Sequence, residues 1–361
     1  MRVSSPGMEA THRRRRDRLR SEVRDAGAVL VTRGVNVRWL TGFTGSAGRL
    51  LVADGGREVL VTDGRYAEQA AVEAPGLEVV LDRTWEWLPD RLDPGARLAL
   101  ESHDLPWDVA RELAGMLGDD RVMPAPRVVE TLRQRKDDDE LALLRRACAV
   151  TGEAFTAMLG WLSPGQTERH VARRLADEMV VRGAEGPSFD IILAGGPHSA
   201  RPHHRPTDRR LRRGELVKAD FGALVDGYHA DMTRTVALGD PGAQLRAVHG
   251  LVRRAQSAGV ARVRAGVAAA DVDAACRDLI AAGGRGEEFV HGTGHGVGLE
   301  IHEEPILRRE ATARLTDRMV VTVEPGVYLP GLGGVRIEDV VLVTPDGAEL
   351  LTTAPTELIV L

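Results

Sequence analysis

Cysteine is almost missing from this chain of 361 residues, since Cys148 and Cys276 are too few and too far apart for a disulfide framework. Disulfide-stapled secreted domains are thereby excluded, and a reducing cytoplasm is the expected compartment. Both thiols are expected in the core rather than as nucleophiles. Lysine is equally scarce: of 48 basic residues only Lys136 and Lys218 are lysine, which reads as a bias of composition. Neither follows a glycine, so there is no phosphate-binding P-loop. No apolar run approaches the ~18 residues of a membrane span. The N-terminal MRVSSPGMEATHRRRRDRLR has charge without the apolar stretch of a secretory signal, so the protein is expected to be soluble. The formal net charge of -5 is too mild to call for nucleic acid or an anionic membrane as a partner. The run Arg13 to Arg16 reads as a solvated, frayed start to the first helix, and Met8 competes with Met1 as the initiator. Serine chemistry also lacks support, because Ser46 in TGSAG has Thr44 where a nucleophile elbow needs glycine.

The length suggests about two domains. After the first helix, AVLVT, RLLVA, EVLVT, GLEVVL and ARLALE are short β-rich runs with helical stretches between them, which predicts a small α/β domain over residues 1–133. The character changes at VVETLRQRKDDDELALL, where Leu141, Leu144, Cys148 and Phe155 recur near helical spacing, and a second domain is expected over 134–361. Asp137 to Asp139 with Glu140 suit the positive end of a helix dipole better than a metal site. Further helices are predicted over 167–182, 244–263 and around 271–282. Strand-like FDIILAG, ELVKADFGALVDGYHADMTRTVALG, RMVVTVEPGVYL and GGVRIEDVVLV fill the rest, so this half reads as α+β with no clear internal repeat.

Acids interrupt these strands. Asp226-Gly227 between two apolar runs is a hairpin-turn signal. A two-residue loop there sets Asp231 opposite Gly222, and period-two alternation puts Asp220 on the same face as Gly222. Two carboxylates so close repel unless a proton or cation sits between them. Glu324 ends the apolar run MVVTVE, and Glu338 sits inside VRIEDVVLV. A buried carboxylate costs several kcal/mol unless compensated. Each pair alone reads as a salt bridge or an exposed edge strand.

HGTGHGVGLEIHEEP adds His291, His295 and His302. The interleaved glycines each cost about 1 kcal/mol in a helix, so these histidines are expected on a loop or extended strand, and taken alone the stretch fits either a site close to a metal or polar substrate or a surface loop. Asp220, Asp231, Glu324, Glu338 and His295 together form a set able to hold two divalent ions about 3.5 to 4 Å apart.

These stretches resemble the M24 metallopeptidases of pita-bread fold, in the branch of aminopeptidase P and proline dipeptidase. NVRWLTGFTGSAG and TDGRYAEQA resemble the family's creatinase-type N-terminal domain. PHHRP, ADFGALVDGYHADMTRT, HGTGHGVGLEIHE, TVEPGVY and GGVRIED follow in the family's order over the second half. The fold implied is an α/β creatinase-type domain plus an α+β pita-bread catalytic domain. The resemblance makes Asp220 a ligand of one metal, His295 and Glu324 ligands of the other, and Asp231 and Glu338 bridges. Four carboxylates with one imidazole suit Mn2+ or Co2+, with Zn2+ and Fe2+ as further options. His203, His291 and His302 match substrate-side histidines, Glu324 a proton shuttle and His302 a hydrogen-bond donor to the tetrahedral oxygen. Arg336 either orients Glu338 or meets substrate, with a structural ion pair as the alternative. A homodimer and peptides with proline in second position are implied.

One position departs from the pattern. Proline dipeptidases of the family commonly carry arginine directly after HE.P to hold a dipeptide carboxylate, and here Ile306 follows Pro305. The expectation therefore leans to a Xaa-Pro aminopeptidase acting on longer peptides, with a Xaa-Pro dipeptidase as alternative if Arg308 or Arg309 substitutes. A metal-free creatinase-like C-N hydrolase and a non-catalytic binding module are minor rivals, because both predict loss of the acidic ligands.

Overall fold

The computed structural model describes residues 6–361, so the question of Met1 as initiator lies outside the described residues. The chain divides into two compact units, Met1–Arg133 and Gln134–Leu361.

In the first unit the five apolar runs become strands Gly27–Val31, Gly48–Ala53, Glu58–Thr62, Glu78–Leu81 and Arg97–Leu100, with Val122–Pro124 as an unannounced sixth. The strand at Gly27–Val31 lies inside the sheet. It pairs antiparallel with Gly48–Ala53 and parallel with Arg97–Leu100. Intervening helices Gly34–Thr41, Ala67–Glu73 and Trp107–Leu117 make this an α/β unit. The arginine run of the first helix, Pro6–Glu22, departs from its reading. Arg13 and Arg14 are exposed, but Arg15 and Arg16 are buried. Arg15 donates to the Trp39 carbonyl at 2.7 Å and Arg16 to the Leu40 carbonyl at 2.9 Å, while Arg16 also pairs with Glu58 at 2.8 Å. Trp39 and Leu40 lie in the last turn of Gly34–Thr41, whose carbonyls have no intrahelical partner. The two guanidinium groups supply those missing donors.

The second unit runs twice through two helices followed by antiparallel strands. Helices Asp138–Trp161 and Glu168–Val181 precede the first set of strands, and Ala243–Arg262 and Ala269–Ala282 the second. The acidic run behaves as a helix start: Asp137 accepts from the Glu140 amide and Glu140 accepts from the Asp137 amide, both at 3.0 Å. Cys148 and Cys276 are buried free thiols, and burial pushes both up in pKa, Cys276 to about 12, so neither is a nucleophile. Both lysines are interior as well. Lys136 pairs with Glu303 at 2.7 Å, and Lys218 donates to the carbonyls of Arg201 and Pro202 at 2.7 and 3.2 Å.

The hairpin keeps the expected register. Asp226 and Gly227 have φ of 50° and 74°, the left-handed pair a two-residue turn needs. Val225 pairs with Tyr228, Phe221 with Met232 and Asp220 with Thr233. Between these runs the ladder opens at Gly222 and Asp231. A side chain at Gly222 would place its Cβ 1.7 Å from the Ala230 carbonyl oxygen and 2.6 Å from Ser188 Oγ. The glycines beside His295 serve the same end, since a Cβ on Gly294 would fall 2.0 Å from the Thr322 oxygen and one on Gly296 2.4 Å from that of Glu304. Glycine there lets three strands close around a histidine.

Gly222→Ala should therefore cost about 3 kcal/mol, the upper end of over-packing effects, because the obstacle is backbone. Urea unfolding measures it. A loss below about 0.5 kcal/mol, the scale of an ordinary surface substitution, would show that the ladder can open without strain.

Candidate active site

Asp220 is carried by the strand Glu215–Phe221. Asp231 stands just before Met232–Leu238, Glu324 just after Val320–Val323, and Glu338 just before Asp339–Val343. His295 is the middle residue of Gly294–Gly296. Chain ends of paired strands thus aim four acids and an imidazole into one cleft of about 330 Å3. Its walls also include His203, His291, His302 and Arg336, so all nine residues singled out from the sequence meet there.

Asp220, Glu324 and Glu338 each have one oxygen tied to the scaffold, Glu324 Oε1 by Thr322 Oγ1 at 3.3 Å, whereas Asp231 only approaches His295. Asp220 Oδ2 is held by Arg336. Glu338 Oε2 accepts from Thr233 Oγ1 at 2.7 Å. Asp231 Oδ2 lies 3.6 Å from His295 Nε2, and Glu324 Oε1 lies 3.4 Å from that nitrogen. The other oxygens of Asp220, Asp231 and Glu338 are buried and have no hydrogen-bond partner. Ligating atoms of Asp231, His295 and Glu338 all lie within 4.8 Å of one another. Orphaned buried oxygens are costly, and oxygens with one imidazole are what hard to borderline divalent cations take. The residues fit a divalent-metal site. His295 is prepared for this role: with Nδ1 2.9 Å from the Gly296 carbonyl, the proton sits on Nδ1 and the Nε2 lone pair faces the acids.

The electrostatics agree. Burial, then Glu338, Asp220 and Glu324, hold Asp231 well above the usual carboxylate range. Glu338 is likewise raised by burial and by Glu324 and Asp220. Burial lifts Glu324 to about 7 against the pull of Arg336, and it lowers His295 to about 4.

The residues expected to meet substrate fall into two groups. His291 Nε2 is 2.8 Å from the Tyr328 hydroxyl, which also accepts from Arg336 Nη1 at 2.8 Å. The His291 ring is kept neutral by burial and by Arg336, with a pKa of about 3, so Arg336 donates to Tyr328 and Tyr328 to His291. His203 and His302 are exposed at the mouth, and the His302 ring stacks edge-on at 4.4 Å on His295. Among the described residues Arg336 makes no hydrogen bond to the Glu338 carboxylate; it reaches Asp220, Tyr328, Thr233 Oγ1 at 3.0 Å and Glu324 at 3.9 Å. Tyr328 and Thr233 carry much of this network and were missed from the sequence. Both lay inside the motifs TVEPGVY and ADMTRT, without a chemical signal of their own.

Residues 142–345 match the metallopeptidase family M24, and residues 15–135 match the creatinase/prolidase N-terminal domain. The chain belongs to the M24 metallopeptidases, and its fold is a creatinase-type α/β domain plus an α+β catalytic domain. It is 35% identical to a Xaa-Pro dipeptidase of Pyrococcus furiosus over 92% of this chain and 94% of that protein. Among solved structures, a Xaa-Pro dipeptidase from Bacillus anthracis superposes with a TM-score of 0.91 at 38% identity, covering 97% of this chain and 100% of the other. An X-Pro aminopeptidase from Thermotoga maritima superposes at 0.89 with 33% identity, over 96% and 99% of the two chains.

A group whose folded pKa is raised stabilises fully only below its unfolded value, about 4 for these acids, and that stability is lost as pH rises through the folded value. Glu324 places one such step near 7. The metal-free protein should thus lose thermal stability on going from about pH 6 to about pH 8, and added Mn2+ should raise Tm more at the higher pH. Scanning calorimetry with and without the ion checks this; an equal gain at both pH values would contradict it. Glu338→Gln should leave the metal-free Tm unchanged or higher and remove most of the Mn2+ gain.

Proposed function

We propose that this chain is a metal-dependent Xaa-Pro dipeptidase that uses two divalent ions, Mn2+ first among the candidates. The carrying observation is the cleft in which buried, half-partnered carboxylates and His295 Nε2 converge. In this reading residues 1–133 are the creatinase-type domain and 134–361 the catalytic domain. Asp220, Asp231, His295, Glu324 and Glu338 would hold the ions. Two bound cations make water acidic enough to ionise near neutral pH and polarise the scissile carbonyl.

The chain's own groups do the rest. Glu324, near 7 without metal, takes the proton of the attacking water and passes it to the departing proline nitrogen as the C–N bond breaks. His302, at the mouth beside His295, donates to the carbonyl oxygen as it gains charge. His203, another residue lining the cleft, meets substrate as well. His291, Tyr328 and Arg336 form the wall against which proline packs, and Arg336 holds the Asp220 carboxylate in place.

The similarity to two dipeptidases supports this specificity over the aminopeptidase reading drawn from Ile306. Arg308 offers a physical substitute for the arginine that Ile306 displaces. Leu307 is buried in the core and Ile306 lines the cleft, so alternation returns Arg308 to the side of Ile306. Its Cβ lies 3.3 Å from the Cβ position of a side chain at Gly292, another cleft residue. There it receives the free carboxylate of a dipeptide. A second reading, cleavage of longer peptides, is favoured by a groove of about 750 Å3 that shares Phe189, Ile192 and His203 with the cleft and carries Arg173 and Arg205.

Metal-stripped protein is expected to hydrolyse Ala-Pro only after Mn2+ is added, and to release arginine from Arg-Pro-Pro-Gly-Phe much more slowly. Comparable kcat/KM on the pentapeptide would install the second reading. No hydrolysis of either with any divalent metal would end both. Arg308→Ala should raise KM for Ala-Pro about tenfold, the scale of one charge-assisted contact, and leave the pentapeptide unaffected; equal effects on both would remove the carboxylate role.

A further inference from the structure

Outside the carboxylate cleft, a second group of metal-ligating side chain types surrounds Glu168. This residue opens the helix Glu168–Val181 and its side chain is fully buried, yet among the described residues neither arginine nor lysine pairs with it. Five donors serve it instead. Oε1 accepts from the Gly195 amide at 3.0 Å and His198 Nδ1 at 2.9 Å. Oε2 accepts from His204 Nε2 at 2.9 Å and from the amide and hydroxyl of Thr207 at 3.0 and 2.7 Å. Burial raises the Glu168 pKa, but hydrogen bonds from Gly195, His204 and Thr207 outweigh it, so the group stays ionised.

Ligating atoms of Glu168, His198 and His204 lie close enough together to suggest a metal. Counting lone pairs argues otherwise. A carboxylate offers about four acceptor positions, and five donors already occupy them.

All five donors come from one segment, Gly195 to Thr207, and His203 lies within it. The backbone just before His203 is held from another side: the Arg201 and Pro202 carbonyls accept from Lys218, and that of Pro202 also from Arg336 at 3.3 Å. His204 turns inward to Glu168, while the His203 ring is exposed, lines the cleft and makes no hydrogen bond among the described residues. Nothing on its own side chain fixes His203. Its place depends on its neighbours in the chain.

We infer that Glu168 is a positioning residue for this peptidase: its carboxylate clamps the Gly195 to Thr207 segment from within and so sets His203 against the substrate. The inference rests on the Xaa-Pro peptidase reading for its kinetic consequence, though not for its structural one. Proper placement of a substrate-contacting group is commonly worth a factor of about 100.

The test is a double-mutant cycle on Ala-Pro hydrolysis with Glu168→Gln, His203→Ala and the pair, at matched metal content. Glutamine keeps the shape but turns one acceptor into a donor facing donors. Glu168→Gln is expected to lower kcat/KM between about tenfold and 100-fold, yet by less than about twofold in the His203→Ala background. The same loss in both backgrounds would overturn the inference, as would loss of a bound metal equivalent. Should Glu168→Gln fail to fold, Thr207→Val removes one of the five bonds, and the same pattern is expected at smaller amplitude. Histidine NMR separates this result from a failure of the peptidase reading. The His203 ring signal, assigned by its disappearance in His203→Ala, should shift or broaden in the Glu168 or Thr207 variant even if the wild type cleaves no Xaa-Pro bond. An unmoved signal overturns the inference.

Discussion

Repulsion among buried carboxylates is the constraint around which the catalytic half is built. Asp220, Asp231, Glu324 and Glu338 share a cleft in which the pKa of Asp231, Glu324 and Glu338 is pushed up, and among the described residues Arg336 is the one guanidinium in an ion pair with their carboxylates. Such a cluster destabilises the chain that carries it. It persists because Asp220, Glu338 and Glu324 are each anchored by one oxygen to rigid β-structure, through Arg336, Thr233 and Thr322. The closely approaching backbone at Gly222, Gly294 and Gly296 gives those strands no room to retreat. The fold holds a concentration of acidic groups whose charge is relieved by protons or by a cation.

Much of this was legible from local pattern. The strand runs of the first unit, the three later helices and the Asp226-Gly227 register depend on period, capping and turn chemistry, which act over a few residues. The acids stood out because a carboxylate within a Val-rich strand contradicts its surroundings. Gathering them into one site needed the resemblance to a family, since pairings such as Thr233 with Glu338 join residues 105 positions apart.

What escaped notice had no such contradiction to mark it. Thr233 and Tyr328 are ordinary strand residues whose hydroxyl groups matter through distant partners. Arg15 and Arg16 belong to a run that composition assigns to solvent, and they are buried by the unpaired carbonyls of another helix. Glu168 reads as a routine first-turn acid, favourable to the helix dipole. The double passage through two helices and antiparallel strands is likewise invisible as a repeat, because packing preserves geometry while the residues filling it differ.

The scarcity of lysine acquires a practical meaning once both lysines are seen to be interior. Lys136 is engaged by Glu303, and Lys218 lies against two carbonyls with its ammonium 5.0 Å from the Tyr328 ring. The basic surface of the folded protein is therefore guanidinium throughout. Acylating reagents and lysine-directed cross-linkers find no side-chain amine on the folded molecule, and a lysine-specific protease finds no exposed bond. Reaction at either lysine thus reports opening of the catalytic unit, which makes the chain's own composition a built-in probe of its folding.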